Sequence, residues 1–165
     1  MLTKKESYNV AVVGATGIVG ESLLEILYSR RFPISSIHAV ASKKSKGSKA
    51  KFGDQLLTVE SLDEFNFTDI DIAFFSAGSS VSKEYATKAT TQGCIVIDNT
   101  SEFRYEQDIP LVVPEVNPQD IDLYKHKNII ANPNCSTIQM LVALKPLHDT
   151  FCVKHINVCT YQAVS

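Results

Sequence analysis

An α/β fold is predicted here, a Rossmann-like, doubly wound and mostly parallel sheet followed by the start of a second domain. Three features predict it. Short apolar, β-branched runs recur along the chain, helix-length segments of 3.6-residue periodicity separate them, and the unusual residues gather just past the ends of the runs. The first run, Tyr8 to Val13, ends at Gly14 and suits a strand buried on both faces. From Gly17 the period changes: Ile18, Val19, Leu23, Leu24, Ile26 and Leu27 recur at helical spacing to Arg30, and Pro33 stops them. Ile37 to Ala41 reads as the second strand, followed by a polar, lysine-rich loop to Gly53, with Leu56 to Val59 as a third strand.

Asp71 to Ser76 is a buried strand that runs into a Ser/Gly turn. Ser82 to Gln92 reads as a helix closed by Gly93. Cys94 to Asp98 is the next strand, Pro110 to Val116 an irregular extended segment, Pro118 to Tyr124 a short helix, and Asn128 to Ala131 the last strand of the series. Beyond Cys135 a helix carries Ile138, Leu141, Val142 and Leu144 up to Pro146. His155 to Tyr161 then alternates as a strand, and the pattern continues to the last residue, so the chain is expected to be part of a longer one. Residues 1–131 are expected to form the dinucleotide-type domain of this scheme and residues 132–165 the truncated beginning of a second domain, which the family resemblance given below implies is the catalytic and dimerisation domain.

Sixteen Lys and Arg against eighteen Asp and Glu leave a net charge of −2, which disfavours a nucleic-acid binder or a polybasic membrane-surface protein. There is no apolar stretch long enough to span a bilayer, and the polar N-terminus does not resemble a signal peptide, so a cytoplasmic location is expected. The four cysteines are irregularly spaced with no CxxC pair, which argues against zinc and thioredoxin-type sites. Cys94, Cys152 and Cys159 lie in or beside apolar runs and are expected to be buried structural thiols.

Four constellations carry chemistry. Gly14-Ala15-Thr16-Gly17-Ile18-Val19-Gly20 joins a strand to a helix. Gly14 permits the tight turn, Gly17 lets the backbone approach a pyrophosphate, and Thr16 is placed to cap the helix whose amides face that anion. The segment after the second strand, Ser42 to Gly47, has no Asp or Glu to hold a ribose 2′-hydroxyl; its lysines and serines suit a 2′-phosphate, which favours NADP. Asn132-Pro133-Asn134-Cys135-Ser136-Thr137 sets a cysteine at a helix start, where the helix dipole stabilises a thiolate and nearby amides can stabilise an oxyanion. Arg104 closes the polar cluster Asp98 to Arg104, where a guanidinium could grip phosphate or carboxylate; a plain ion pair with Glu102 or Asp108 is the alternative. The four histidines read as surface or core residues.

These motifs, with Phe75-Ser76-Ala77-Gly78, Pro110 to Asn117 and Thr160 to Ser165, occur in an order that resembles bacterial-type aspartate-semialdehyde dehydrogenases across nearly the whole chain. Asn-Cys-Ser-Thr around Cys135 separates it from the related N-acetyl-glutamyl-phosphate reductases, which carry Gly-Cys-Tyr there and are the alternative on substrate. A nucleotide-binding module without turnover is the competing class. The resemblance implies NADP-dependent reductive dephosphorylation of L-aspartyl 4-phosphate to the semialdehyde and inorganic phosphate, on the way to lysine (through diaminopimelate), threonine and methionine. It implies a nucleophile at Cys135 that forms a thioester, Arg104 and Asn134 on the phosphate, and Gln162 on the substrate. Cofactor contacts are implied at Gly14, Thr16, Gly17, Ile18, Val19, Ser76 and Gly78, at Lys44 and Ser45 for the 2′-phosphate, and at Ser165. The family often has arginine where Lys44 stands, which implies a less exclusive NADP preference. Its members are roughly twice this length and homodimeric, and their catalytic histidine comes from the other half.

Overall fold

The computed structural model describes residues 4–161. Its centre is a six-stranded, all-parallel sheet. The strands are β1 (Tyr8–Val13), β2 (Ile34–Ala41), β5 (Glu60–Ser61), β6 (Ile72–Phe75), β7 (Ile95–Asp98) and β8 (Ile129–Ala131), in the spatial order β5-β2-β1-β6-β7-β8. Chain order reverses direction at β1, which has β2 on one side and β6 on the other, so a switch-point crevice opens beyond the ends of β1 and β6.

Alternation along β1 builds two cores. Val10 and Val12 pack with Leu24 and Leu27 of α1 (Ile18–Ser29), while Ala11 and Val13 face the opposite side with Ala86 and Ala89 of α2 (Ser79–Thr91). All four β1 side chains are fully buried, which is why the run reads as continuously apolar. α2 ends as the sequence predicts: Gly93 has φ +91°, and its amide donates to the Thr90 carbonyl at 3.0 Å.

Several elements differ from expectation. The lysine-rich loop contains a strand, β3 (Lys49–Phe52), paired antiparallel with β4 (Gln55–Thr58) across the Gly53-Asp54 turn. The hairpin is separate from the main sheet and packs on α1, with Ala50 in the same core as Leu24 and Leu27, and Phe52 edge-on to Tyr28 at 5.4 Å. The third sheet strand on that side is therefore the two-residue β5 rather than Leu56 to Val59. Helix α2 starts three residues before Ser82, freeing that side chain for a buried contact described below. Pro110 to Val116 contributes only a single bridge, Leu111 to Ala131, and Pro118–His126 is a 3-10 helix.

α3 (Cys135–Phe151) runs on through Pro146. Local bonds carry it past the missing amide: Lys145 Nζ reaches Asp149 at 2.6 Å and Thr150 Oγ1 donates to the Pro146 carbonyl at 3.0 Å. No α3 residue is buried, and Val142, Leu147 and Phe151 are exposed. His155 to Tyr161 forms no strand, because among the described residues no neighbouring strand offers it a ladder. Cys152 and Cys159 are consequently exposed, contrary to their expected burial; Cys94 alone of the three is buried. No helix among the described residues is long and apolar enough to cross a membrane.

Candidate functional site

The carboxyl ends of β1, β2, β5 and β6 surround a cleft of about 580 Å³. Gly14, Thr16 and Gly17 follow β1, Lys43 and Lys44 follow β2, and Ser76 follows β6. Gly14 has φ +91°, and a Cβ there would meet Ser76 Oγ at 2.8 Å and the Ser76 carbonyl carbon at 2.9 Å. Only glycine fits both the left-handed backbone and this approach of two strand ends. Gly20 is buried in the first turn of α1, and a Cβ on it would overlap the Gly14 carbonyl oxygen, so helix and loop touch backbone to backbone. Gly17, at the helix N-cap, has open space toward the cleft, with only the Gly14 oxygen at 3.5 Å. The N-terminal amides of α1 therefore face an accessible crevice, the geometry that receives a pyrophosphate.

Thr16 does not cap α1. The N-cap is Gly17, without a side-chain hydrogen bond, and Thr16 sits one residue too early, exposed on the cleft wall. Ile18 and Val19 are exposed at the start of the helix. Lys43 and Lys44 sit on a 3-10 turn, and among the described residues neither has a carboxylate partner. Lys43 joins Lys44 on the wall, whereas Ser45 lies off it, its carbonyl accepting from Ser48 Oγ at 2.7 Å. Ser76 Oγ donates to the Val13 carbonyl at 3.1 Å, and Gly78, at φ +97°, caps α2. A dinucleotide fits these residues: the glycine cradle takes the pyrophosphate, and two ammonium groups await an anion beside β2. A larger cavity of about 750 Å³ lies between α1 and the hairpin, on the outer face and away from these strand ends.

The second half of the site lies past β7 and β8. Asp98 ends β7 fully buried, its carboxylate accepting from Ser82 Oγ at 2.6 Å and Thr100 Oγ1 at 2.7 Å. Sequence reasoning placed Asp98 in the cluster but gave it no task; its position at the end of an apolar strand, ringed by hydroxyl-bearing residues, was the available signal. Its brace fixes the turn that carries Arg104. Arg104 Nε donates to the Asn132 carbonyl at 3.1 Å and Nη2 to the Asn99 carbonyl at 3.2 Å. The Asn132 side chain closes the ring on Asn99 at 2.5 Å. Arg104 thus makes no ion pair with Glu102 or Asp108 among the described residues; backbone carbonyls hold the guanidinium without neutralising it. Three residues beyond Asn132, Cys135 begins α3 and is exposed, with Asn134 as N-cap, its Oδ1 accepting from the Ser136 amide at 3.0 Å. Gln162 and Ser165 lie outside the described residues.

Cys94 is unsuited to nucleophilic work: burial, with the Asp71 carboxylate nearby, pushes its thiol up to about 12. Under native conditions at neutral pH it is expected to escape iodoacetamide while Cys135 is modified first, as peptide mass mapping would show. Labelling of Cys94 before unfolding would contradict the burial argument.

The doubly wound sheet, the glycine cradle and the cationic strand-end cleft define a dinucleotide-binding α/β domain. The chain belongs to the semialdehyde dehydrogenase family, whose NAD-binding-domain model matches residues 9–124. It is 57% identical over 157 residues to aspartate-semialdehyde dehydrogenase of Legionella pneumophila, covering 95% of this chain and 45% of that one. The structure superposes on aspartate semialdehyde dehydrogenase II of Vibrio cholerae complexed with ASA, with a TM-score of 0.85 and 52% identity over 87% of this chain and 47% of that one. The Candida albicans enzyme with NADP is also similar, with a TM-score of 0.73 and 32% identity over 88% and 48%. The chain thus spans about half the length of the relatives it matches, corresponding to their N-terminal portion.

Proposed function

We propose that this chain is the cofactor-binding and nucleophile-bearing part of an NADP-dependent aspartate-semialdehyde dehydrogenase, cytoplasmic and homodimeric at full length, acting in lysine, threonine and methionine synthesis. The observation that carries the reading is the un-neutralised guanidinium of Arg104, pinned by the Asn99 carbonyl and by that of Asn132, three residues before the helix-start thiol Cys135. The relatives named aspartate-semialdehyde dehydrogenase and the neighbour bound to NADP support it from outside.

Cys135 sulfur attacks the acyl carbon of L-aspartyl 4-phosphate, a thioester forms, and the carbon–oxygen bond to phosphate breaks. Arg104 and Asn134 hold the departing phosphate, and first-turn amides of α3 stabilise the oxyanion. The bound nicotinamide would supply the hydride that releases the semialdehyde and restores the thiolate. Ser42, Lys43 and Lys44 receive the 2′-phosphate, while Gly14 to Gly17 receive the pyrophosphate. Gln162 and Ser165 complete the substrate and cofactor contacts.

Phosphate-dependent reduction of NADP with aspartate semialdehyde tests this on the full-length protein and on residues 1–165. The full-length protein should turn over, and residues 1–165 should hold NADP weakly with no appreciable turnover. A general acid/base supplies about 10²–10⁴-fold, and loss of positioning compounds its absence. Comparable specific activity in both would place the missing histidine wrongly. Turnover of N-acetylglutamate semialdehyde alone would favour the reductase reading, and binding without acylation would reduce the protein to a nucleotide carrier.

A further inference from the structure

β2 ends without an acid, yet the fold brings one to the same place from the neighbouring strand. β5 pairs with β2 so that Ser61 stands opposite Ala41, and the Leu62 amide donates to the Ala41 carbonyl at 2.8 Å. Past this pair both segments turn, Lys43 to Ser45 into a 3-10 turn and Leu62 to Glu64 into a tight turn, at neighbouring strand ends. The Lys46–Glu64 ion pair at 2.5 Å ties the two departing segments together. Asp63, Lys43 and Lys44 all line the cleft that receives the dinucleotide.

The Asp63 carboxylate is also oriented. Tyr85 of α2 reaches across from the far wall and donates its hydroxyl to Asp63 Oδ1 at 2.9 Å. That bond to a carboxylate raises the phenol to about 12, so Tyr85 remains a donor at any working pH. Among the described residues Oδ2 has no hydrogen-bond donor. The result is a carboxylate with one oxygen tethered and the other open, in the same cleft as two ammonium groups that have no carboxylate partner among the described residues.

We propose that Asp63 is the ribose acceptor of this cleft and sets the balance between the two nicotinamide dinucleotides. Asp63 Oδ2 accepts from the 2′-hydroxyl of NAD, whereas Lys43 and Lys44 take the 2′-phosphate of NADP. The carboxylate repels that phosphate and so limits the preference the lysines create. Tyr85 acts through Asp63 as its positioning residue. The inference rests on the dinucleotide reading above and adds the acid that the end of β2 lacks.

Fluorescence titrations of the full-length protein with NADH and NADPH test it without turnover. A charge-assisted hydrogen bond is worth roughly tenfold to a hundredfold in affinity. Asp63→Asn should therefore weaken NADH at least about tenfold while leaving NADPH unchanged or tighter, and Lys44→Ala should move the ratio the other way. Tyr85→Phe should weaken NADH by a smaller factor with NADPH unmoved. Asp63 is exposed, so Asp63→Asn should fold, and a thermal melt of each variant checks this. Equal factors for both dinucleotides, or an unmoved ratio, would overturn the inference and leave the dinucleotide reading standing. Wild-type protein that binds neither dinucleotide would overturn both.

Discussion

Cys135→Ala in the full-length protein is expected to lower phosphate-dependent NADP reduction by at least about a thousandfold while leaving NADPH affinity within about twofold of wild type. The size follows from the proposed chemistry: without the sulfur no thioester forms, and the remaining groups can only bind. The unchanged affinity follows from the fold, because the dinucleotide cleft is built from the ends of β1, β2, β5 and β6, and Cys135 follows β8. Among the described residues no other thiol can substitute. Cys94 is buried with its thiol pushed up to about 12, and Cys152 and Cys159 lie beyond α3, a 17-residue helix that begins at Cys135. Cys135→Ser tests the same point with almost no change in volume, since a hydroxyl is a far weaker nucleophile than a thiolate near neutral pH. Activity within tenfold of wild type in either variant would remove the thioester from the mechanism. Because Cys152 and Cys159 are exposed, alkylation alone is a weaker test than turnover.

The parallel sheet was legible because its strands are covered on both faces. Val10 to Val13, Ala73 to Phe75 and Ile95 to Val96 must be apolar at successive positions, and such runs stand out. Of the hairpin only the second strand was legible, as Leu56 to Val59; the first was not, since Lys49 and Lys51 alternate with a small Ala50 and the pattern resembles a solvated loop, and the Gly53-Asp54 turn was the signal that marked it. His155 to Tyr161 misled for a different reason. Alternation says which side chains would share a face, but a strand exists only when a neighbour completes the ladder. The glycine loop, Arg104 and Cys135 were legible because each residue type matches its chemistry where it stands in the chain. Asp63 was not, because its place in the cleft depends on β5 pairing with β2 and on Tyr85 reaching it from α2, both long-range consequences of the fold.

Gly20→Ala is expected to destabilise the fold by roughly 3 kcal/mol, far more than a methyl group on a helix ordinarily does. Alanine is otherwise the better helix former, by about 1 kcal/mol over glycine, so the sign itself is diagnostic. The new Cβ would overlap the Gly14 carbonyl oxygen and lie 2.8 Å from both the Gly14 carbonyl carbon and Ala15 Cα. These are backbone atoms and cannot rotate aside. Nor can the loop retreat, because the Gly14 amide is bonded to the Val40 carbonyl at 2.8 Å and the space a Gly14 Cβ would need is already filled by Ser76. Helix α1 must therefore lift from the sheet, loosening Leu24 and Leu27 from the core they share with Val10 and Val12. For a chain of this size the loss corresponds to roughly 6–12 °C in melting temperature. Gly17→Ala supplies the contrast. There φ is −93° and the nearest atom to a Cβ is the Gly14 oxygen at 3.5 Å, an ordinary contact, so stability should change by less than about 1 kcal/mol. The methyl group would instead stand in the open space through which a pyrophosphate approaches, and dinucleotide affinity should fall at least about tenfold. Thermal melts and NADPH titrations on the two variants should separate packing from binding. A Gly20→Ala protein that melts within 2 °C of wild type, about the resolution a 1 kcal/mol effect would give, would refute the backbone contact that holds this loop in place.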